Sequence, residues 1–252
     1  MERLIGVDVG GTFTDLVWHD EESGALRVGK EPTSASAPEE GVLDAVAVTL
    51  RPDEIGAARL FLHGTTVGLN ALLERRGATV GLICSEGFRD VLEVRRGDRD
   101  NPYDLFWAPP PPLVPRRRRV PIGGRIAADG TVVRPLDLAG IADAIAIFAA
   151  EEVDAVAVAF INAYANPEHE LAAEQELRRL GFTGHVSLSH RVSGEYREYE
   201  RTSTTVVDAF VRRRMGPYLD RLRGGLDGLG FDGDLLITRS GGGAMTFDQA
   251  LD

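Results

Sequence analysis

Short apolar and β-branched runs, separated by polar turns, open the chain and predict strands near 4–9, 13–19 and 25–30. The polar stretch Asp20-Glu21-Glu22-Ser23-Gly24 joins the last two, so the opening is antiparallel. Pro38 starts a helix running to about Leu50, with Glu39 and Glu40 at its positive end. A short strand at 59–63 leads into 67–76, where Val67, Ala71 and Leu72 fall at helical spacing before Gly77. Residues 79–84 read as a buried strand and 86–92 as a short helix. Farther on, the pattern predicts a helix over 138–151 and a strand over 154–160. Asn166, Pro167 and Glu168 then provide the N-cap, the first-position proline and the acidic first turn of a helix ending near Leu180-Gly181. A strand at 185–189, a helical segment over 195–222 kinked or broken at Gly216-Pro217, and a strand at 235–238 close the series. Repeated βα units after an antiparallel opening predict an α/β layered fold.

Residues 95–136 depart from this rhythm. The run Pro109 to Pro112 favours extended chain, and Asp129-Gly130 reads as a tight hairpin turn. Arg116 to Arg119 form a four-arginine run, read as a solvated or salt-bridging face in preference to a phosphate patch. Tyr103 and Trp107 flank the prolines and are expected to anchor that loop, which has the length of a functional lip.

Candidate chemistry concentrates at the first turn. A strand delivers Asp8, turns at Gly10-Gly11, and leaves through Thr12 and Thr14 as a second strand. Glycine N–H groups can approach phosphate oxygens closely, and Asp8 supplies the hard oxygen that Mg²⁺ prefers. A dinucleotide fold would open a helix here, but residues 12–18 are β-branched and aromatic. Lys30 is the only lysine and the pattern GxxxxGK[ST] is absent, so no P-loop lysine is available. The plain alternative is an ordinary hairpin. A strand–Gly-Gly–strand turn with an aspartate resembles the first phosphate loop of the actin, Hsp70 and sugar-kinase ATPases.

Composition narrows the setting. With 252 residues, 43% of them hydrophobic, the chain can form one large or two modest cores. A net charge of −11 argues against non-specific nucleic-acid or anionic-membrane binding. Cys84 is the single cysteine, which excludes a disulfide framework and a cysteine-based zinc site. No apolar run reaches membrane-spanning length, no leader pattern opens the sequence, and a reducing cytoplasm is the expected compartment.

Two further segments specify the resemblance. One is His63-Gly64-Thr65-Thr66-Val67 with Asn70 to Arg75, followed by Glu86-Gly87-Phe88-Arg89-Asp90. The other is Glu195-Tyr196-Arg197-Glu198-Tyr199-Glu200-Arg201-Thr202-Ser203-Thr204. With Asp8 to Asp15, these resemble the N-terminal part of the hydantoinase A/5-oxoprolinase family, which also includes acetone carboxylase β-type subunits. The resemblance implies an actin-like ATPase (ribonuclease H-like) lobe, with a first region over 1–188 and crossover helices plus the start of the hydantoinase A region over 189–252. It implies ATP and Mg²⁺ as cofactors and ATP-dependent opening of a cyclic amide: the amide carbonyl is a poor electrophile, and phosphorylating its oxygen lets phosphate leave after water attacks. By motif, Asp8 holds the metal and, with His63 and Glu198, forms the catalytic set. Gly10, Gly11, Thr12, Thr14, Asp15, Gly64, Thr65 and Thr66 are the expected cofactor-binding residues.

Several assignments stay open on the residues alone. Thr65 and Thr66 suit helix capping as well as an anion; His63 suits a core position as well as catalysis. Arg89 and Asp90 read as an internal ion pair, and Glu198, Glu200 and Arg201 as either a helical salt-bridge face or a substrate-side group. Glu168-His169-Glu170 reads as solvated charge, and Cys84 as an inert small hydrophobe. No second Asp-x-Gly-Gly-Thr element follows, and Ser240 to Gly243 resembles a flexible hinge, so the chain is expected to hold half of a nucleotide clamp and to need a further region or subunit in an oligomer. An ATP-dependent ketone carboxylase subunit, a sugar or acyl kinase, and a non-catalytic assembly lobe are the alternatives.

Overall fold

The structure, a computed structural model, describes residues 2–34 and 37–251. In chain order the strands are β1 (Arg3–Val9), β2 (Phe13–Asp20), β3 (Ala25–Pro32), β4 (Leu60–Thr65), β5 (Val80–Ser85), β6 (Arg119–Ile122), β7 (Arg125–Ile126), β8 (Val132–Arg134), β9 (Ala155–Ala159), β10 (His185–Leu188), β11 (Asp234–Thr238) and β12 (Ala244–Thr246). The helices are α1 (Pro38–Thr49), α2 (Pro52–Gly56), α3 (Val67–Leu73), α4 (Val91–Val94), α5 (Leu138–Ala150), α6 (Glu168–Arg179), α7 (Ser189–Val192), α8 (Glu198–Gly228) and α9 (Phe247–Leu251). They form two compact units, one of residues 1–74 with 214–252 and the other of residues 75–213. This spatial division, at 74/75 and 213/214, is of another kind than the expected boundary between sequence regions at 188/189.

In the first unit a six-stranded sheet runs β12-β11-β4-β1-β2-β3. The β1–β2 and β2–β3 pairs are antiparallel, while β4 and β11 lie parallel to β1 and to one another. Alternation sets the faces: Ile5, Val7, Val9, Leu16 and Trp18 point into a core closed by Val42 and Val46 of α1 and Leu219, Leu222 and Leu226 of α8. Gly242 and Gly243 take left-handed backbone and close the β11–β12 hairpin, with Arg239 donating to the Gly243 carbonyl at 3.0 Å. The glycine run expected as a flexible hinge is therefore an ordered turn.

The second unit is built on a parallel sheet, β10-β9-β5-β6. Strands β5 and β9 are buried along their whole length, as parallel strands covered on both faces require. Ile141 and Phe148 of α5, and Ala173 and Leu177 of α6, pack with Val156, Val158 and Val186. Asp129-Gly130 does form a hairpin turn, between β7 and β8, with Gly130 at φ +85°.

Three local expectations need correction. The helix expected over 86–92 is a turn at Gly87 (φ +87°) followed by α4. Asn166 is not the N-cap of α6; Pro167 holds that place, and the Asn166 side chain accepts from Glu168 N at 3.0 Å. Of the kink or break expected at Gly216-Pro217, the break is absent: α8 is one helix with Pro217 inside it. Among the described residues no helix is long and apolar enough to cross a membrane.

A Cβ added at Gly81 would meet Phe148 Cε1 at 2.5 Å. Gly81→Ala therefore forces the ring or the strand aside, and chemical denaturation should show a loss of about 1–3 kcal/mol. An unchanged midpoint would mean that the α5–β5 packing is looser than this contact implies.

Candidate functional site

The end of β1 carries the candidate chemistry because three strands fix it from both sides. Asp8 pairs in register with Asp15 on β2 and with Gly64 on β4. Its side chain points to the face opposite Val7 and Val9 and is exposed. The carboxylate lies over Gly64, where a Cβ would stand 2.7 Å from Asp8 Oδ1. Any side chain at Gly64 would displace it.

Asp8 and Asp15 form a like-charge cross-strand pair, an arrangement that costs stability unless cations compensate. Lys30 compensates Asp15 at 2.7 Å. Asp8 makes no hydrogen bond or ion pair among the described residues. Beside it, Gly10 N–H donates to the Phe13 carbonyl at 3.0 Å, closing the turn, while the N–H groups of Gly11 and Thr12 have no acceptor among the described residues. The space in front of Gly11 is open to 4 Å. An uncompensated carboxylate next to free N–H groups suits a hydrated divalent cation together with an anion. Among the described residues no three His, Cys, Asp or Glu side chains cluster as a metal cage. That fits Mg²⁺, which takes one or two carboxylates and completes its shell with phosphate and water oxygens.

The neighbouring polar side chains are already engaged. Thr14 is buried and bonds Thr33 Oγ1 at 3.0 Å, so its hydroxyl braces the turn from beneath. Thr65 Oγ1 accepts from Val67 N at 3.2 Å, and Thr66 Oγ1 donates to the Val9 carbonyl at 3.3 Å. His63 points the other way from Asp8, into the core among Phe61, Tyr218 and Phe247. Its Nε2 meets Tyr218 Oη at 2.6 Å, and burial pulls its pKa down to about 4. The geometry thus makes His63 a neutral pin between β4 and α8, on the core side of the sheet and opposite the face that carries Asp8.

Glu198 belongs to the second unit, at the start of α8, and is ion-paired with Arg201. The expected surface salt-bridge face is corrected here, because Arg201 is fully buried. It donates to Ser189 Oγ at 3.0 Å, the Glu195 carbonyl at 2.7 Å and the Phe160 carbonyl at 2.9 Å. Ser189 in turn donates to Glu170 at 2.5 Å, and Glu170 also accepts from Phe160 N and from both the backbone and the ring of His190. Glu170 and His169 are buried, contrary to the reading of Glu168-His169-Glu170 as solvated charge. The partners of Glu170 arrive from ten and twenty residues away, so helix-start composition carries no sign of them. Arg89 does not pair with Asp90 either; Asp90 takes Arg116 at 2.8 Å, while Arg89 bonds the Arg116 carbonyl.

Residues 4–181 match the family model described as the hydantoinase/oxoprolinase N-terminal region, and the chain belongs to that family. Caprolactamase subunit alpha of Pseudomonas jessenii is 40% identical over 95% of this chain and 35% of its own length. The gamma subunit of acetophenone carboxylase from Aromatoleum aromaticum is 32% identical over 96% of this chain and 36% of its own length. The crystal structure of the ATP-dependent caprolactamase from Pseudomonas jessenii superimposes with a TM-score of 0.84 and 37% identity, over 96% of this chain and 36% of that one. The fold is the actin-like ATPase fold. The chain spans about a third of the length of these relatives.

Because His63 is neutral when folded but titrates near 6.5 when unfolded, the unfolded chain takes up the extra proton. Stability from this group is complete above pH 6.5 and is lost as pH falls toward 4, by about 3 kcal/mol in all. His63→Gln should be less stable at neutral pH yet show a shallower fall in urea midpoint across that window. Parallel pH profiles for the two proteins would remove His63 as the titrating group.

Proposed function

Taking the chain as a member of the hydantoinase/oxoprolinase family, we propose that it forms the phosphate-side lobe of an enzyme that opens a cyclic amide at the expense of ATP. The observation that carries this reading is the uncompensated Asp8 carboxylate, held over Gly64 beside the free N–H groups of Gly11 and Thr12. Mg²⁺ and ATP, when bound, supply the transferable phosphoryl group that activates the amide oxygen. Asp8 orients the metal's water shell, Gly11 and Thr12 donate to phosphate oxygens, and Gly10 keeps the turn closed. Thr14, Thr65 and Thr66 hold the strand ends so that these donors are preorganised, which is the main contribution a protein makes to phosphoryl transfer. Asp15 neutralises Lys30 next to the turn and so keeps that ammonium from competing with the metal for Asp8. Glu198 is retained as an acceptor-side carboxylate, set in place by Arg201.

A relative named as a caprolactamase, a hydrolase of a cyclic amide, supports the hydrolytic reading over the whole chain. The acetophenone carboxylase relative supports a second one, in which the activated oxygen belongs to a ketone and carboxylation follows. Both relatives are named as subunits, which supports a partner polypeptide that completes the site in an oligomer. The acidic surface supports a small substrate and no nucleic acid, and the compartment is read as cytoplasmic.

In the complete assembly, lactam-stimulated phosphate release without bicarbonate is expected, and a strict requirement for ketone plus bicarbonate would favour the carboxylase. Asp8→Ala should abolish that turnover while shifting folding stability by no more than about 0.5 kcal/mol, since it removes one member of a repulsive pair. Turnover retained in the variant would sink the metal assignment.

A further inference from the structure

Within the second unit, a cleft of about 240 Å³ opens beside α8. Its walls are apolar: Leu92 of α4, the proline run at 110–112, and Val206 and Val207 of α8. Three polar side chains also line it, Arg95, Tyr199 and Ser203. None of the three makes a side-chain hydrogen bond or ion pair among the described residues. An apolar concavity with a few uncommitted polar groups is the usual form of a small-molecule site, and this volume suits a ligand smaller than a drug.

The surroundings hold the walls in place but leave Arg95 free. Arg75 Nη2 donates to the Pro111 carbonyl at 2.8 Å and anchors the proline run. Arg96, next in sequence, is ion-paired with Glu200 and ties the end of α4 to α8. Asp90 and Glu93 are taken by Arg116 and Arg119. Arg95 itself sits at φ 54°, ψ −127°, a region that side-chain-bearing residues avoid. Glycine would occupy that backbone without strain, so an arginine there is a feature to be explained by its side chain.

We propose that this cleft binds a small aliphatic monocarboxylate. Arg95 pairs with the carboxylate, Tyr199 and Ser203 add hydrogen bonds at the polar end, and the prolines and valines cover the alkyl chain. A bare inorganic anion would leave the apolar walls unused, and a neutral alkane would leave the guanidinium unpaired. Hydrolytic opening of a simple alkyl lactam creates a monocarboxylate whose alkyl chain ends in an amine, so such a ring-opened product is one candidate; that link, unlike the cleft, rests on the proposed function.

Sodium hexanoate titrated into the full chain, followed by calorimetry and by saturation-transfer NMR, tests the assignment without ATP or turnover. Saturable binding in the millimolar range is expected, with hexanamide weaker by on the order of tenfold. Arg95→Gln should weaken hexanoate by a similar factor with an unchanged melting temperature, because no protein partner of that side chain is lost. Val207→Phe, which fills the cleft from the helix side, should abolish binding. No saturation by hexanoate, equal affinity in Arg95→Gln, or equal competition by inorganic phosphate would overturn the proposal. Loss of ATP-dependent activity in an assembly that still binds hexanoate would overturn the proposed function and leave this site standing.

Discussion

The parallel pairing of β1 with β4 is the constraint on which the candidate site depends. Its register places Val7 against His63 and Val9 against Thr65, with Asp8 against Gly64 on the opposite face. Because side chains alternate along a strand, a slip of one residue would turn Asp8 toward Leu219 and Leu222 and expose the valines. Burying an unpaired carboxylate is far costlier than any single contact in that core could offset, so the register is strongly fixed. The same pairing explains why position 64 has no side chain: the carboxylate occupies the space that a Cβ would need.

Around that fixed point the polar groups divide into committed and uncommitted sets. Thr14, Asp15, His63, Thr65 and Thr66 all have protein partners, and their partners define what they do: they hold strand ends, a hairpin and a helix start. Among the described residues, Asp8 and the amides of Gly11 and Thr12 have none. The second unit is organised in the opposite way at its buried centre. There Glu170 and Arg201 are both fully buried, and Ser189 stands between them as donor to one and acceptor from the other. Each charge meets several hydrogen-bond partners, the condition under which buried ionised groups are tolerated. A network so fully satisfied has little capacity left for a ligand. Three uncommitted groups of that unit, Arg95, Tyr199 and Ser203, lie instead at the proline-walled cleft.

This division also explains what was legible in the sequence. Strand and helix positions followed from local periodicity, and the Asp8 turn from a motif whose members are contiguous, so both were readable from short windows. Glycine 64 was flagged by its motif, but its reason, a carboxylate from a strand fifty-odd residues earlier, is a matter of register. His63 was left open between core and catalysis, and only the alternation of β4 against Tyr218 and Phe247 decides its face. The misreadings share one cause. Arg119, Glu170 and Arg201 look like surface charges in sequence because their partners are distant carbonyls, amides and hydroxyls. Strand β6 was hidden for the same reason: it begins at an arginine that is wholly buried, with its guanidinium on the Val114 carbonyl. The helix start at Glu168 misled in like fashion, since an acidic first turn is normally solvated and here supplies the centre of a network.

The phosphate-side residues bear on substrate choice by exclusion. On the proposed reading, everything that Asp8, Gly11 and Thr12 do concerns a metal shell and phosphate oxygens, and those are the same whether the activated oxygen belongs to a lactam or to a ketone. Selectivity between the two must then reside where the acceptor is bound, and transition-state discrimination there requires polar groups left free to meet it. In the first unit Thr14, Asp15, Thr65 and Thr66 beside the turn are spent on structure. On that reading a lobe built this way would be a phosphate-handling module of general use, and the difference between hydrolysis and carboxylation would be imposed by whatever presents the carbonyl and admits or excludes water. Relatives that match nearly all of this chain in sequence, yet carry names of both kinds, are the outcome that such a division of labour would produce.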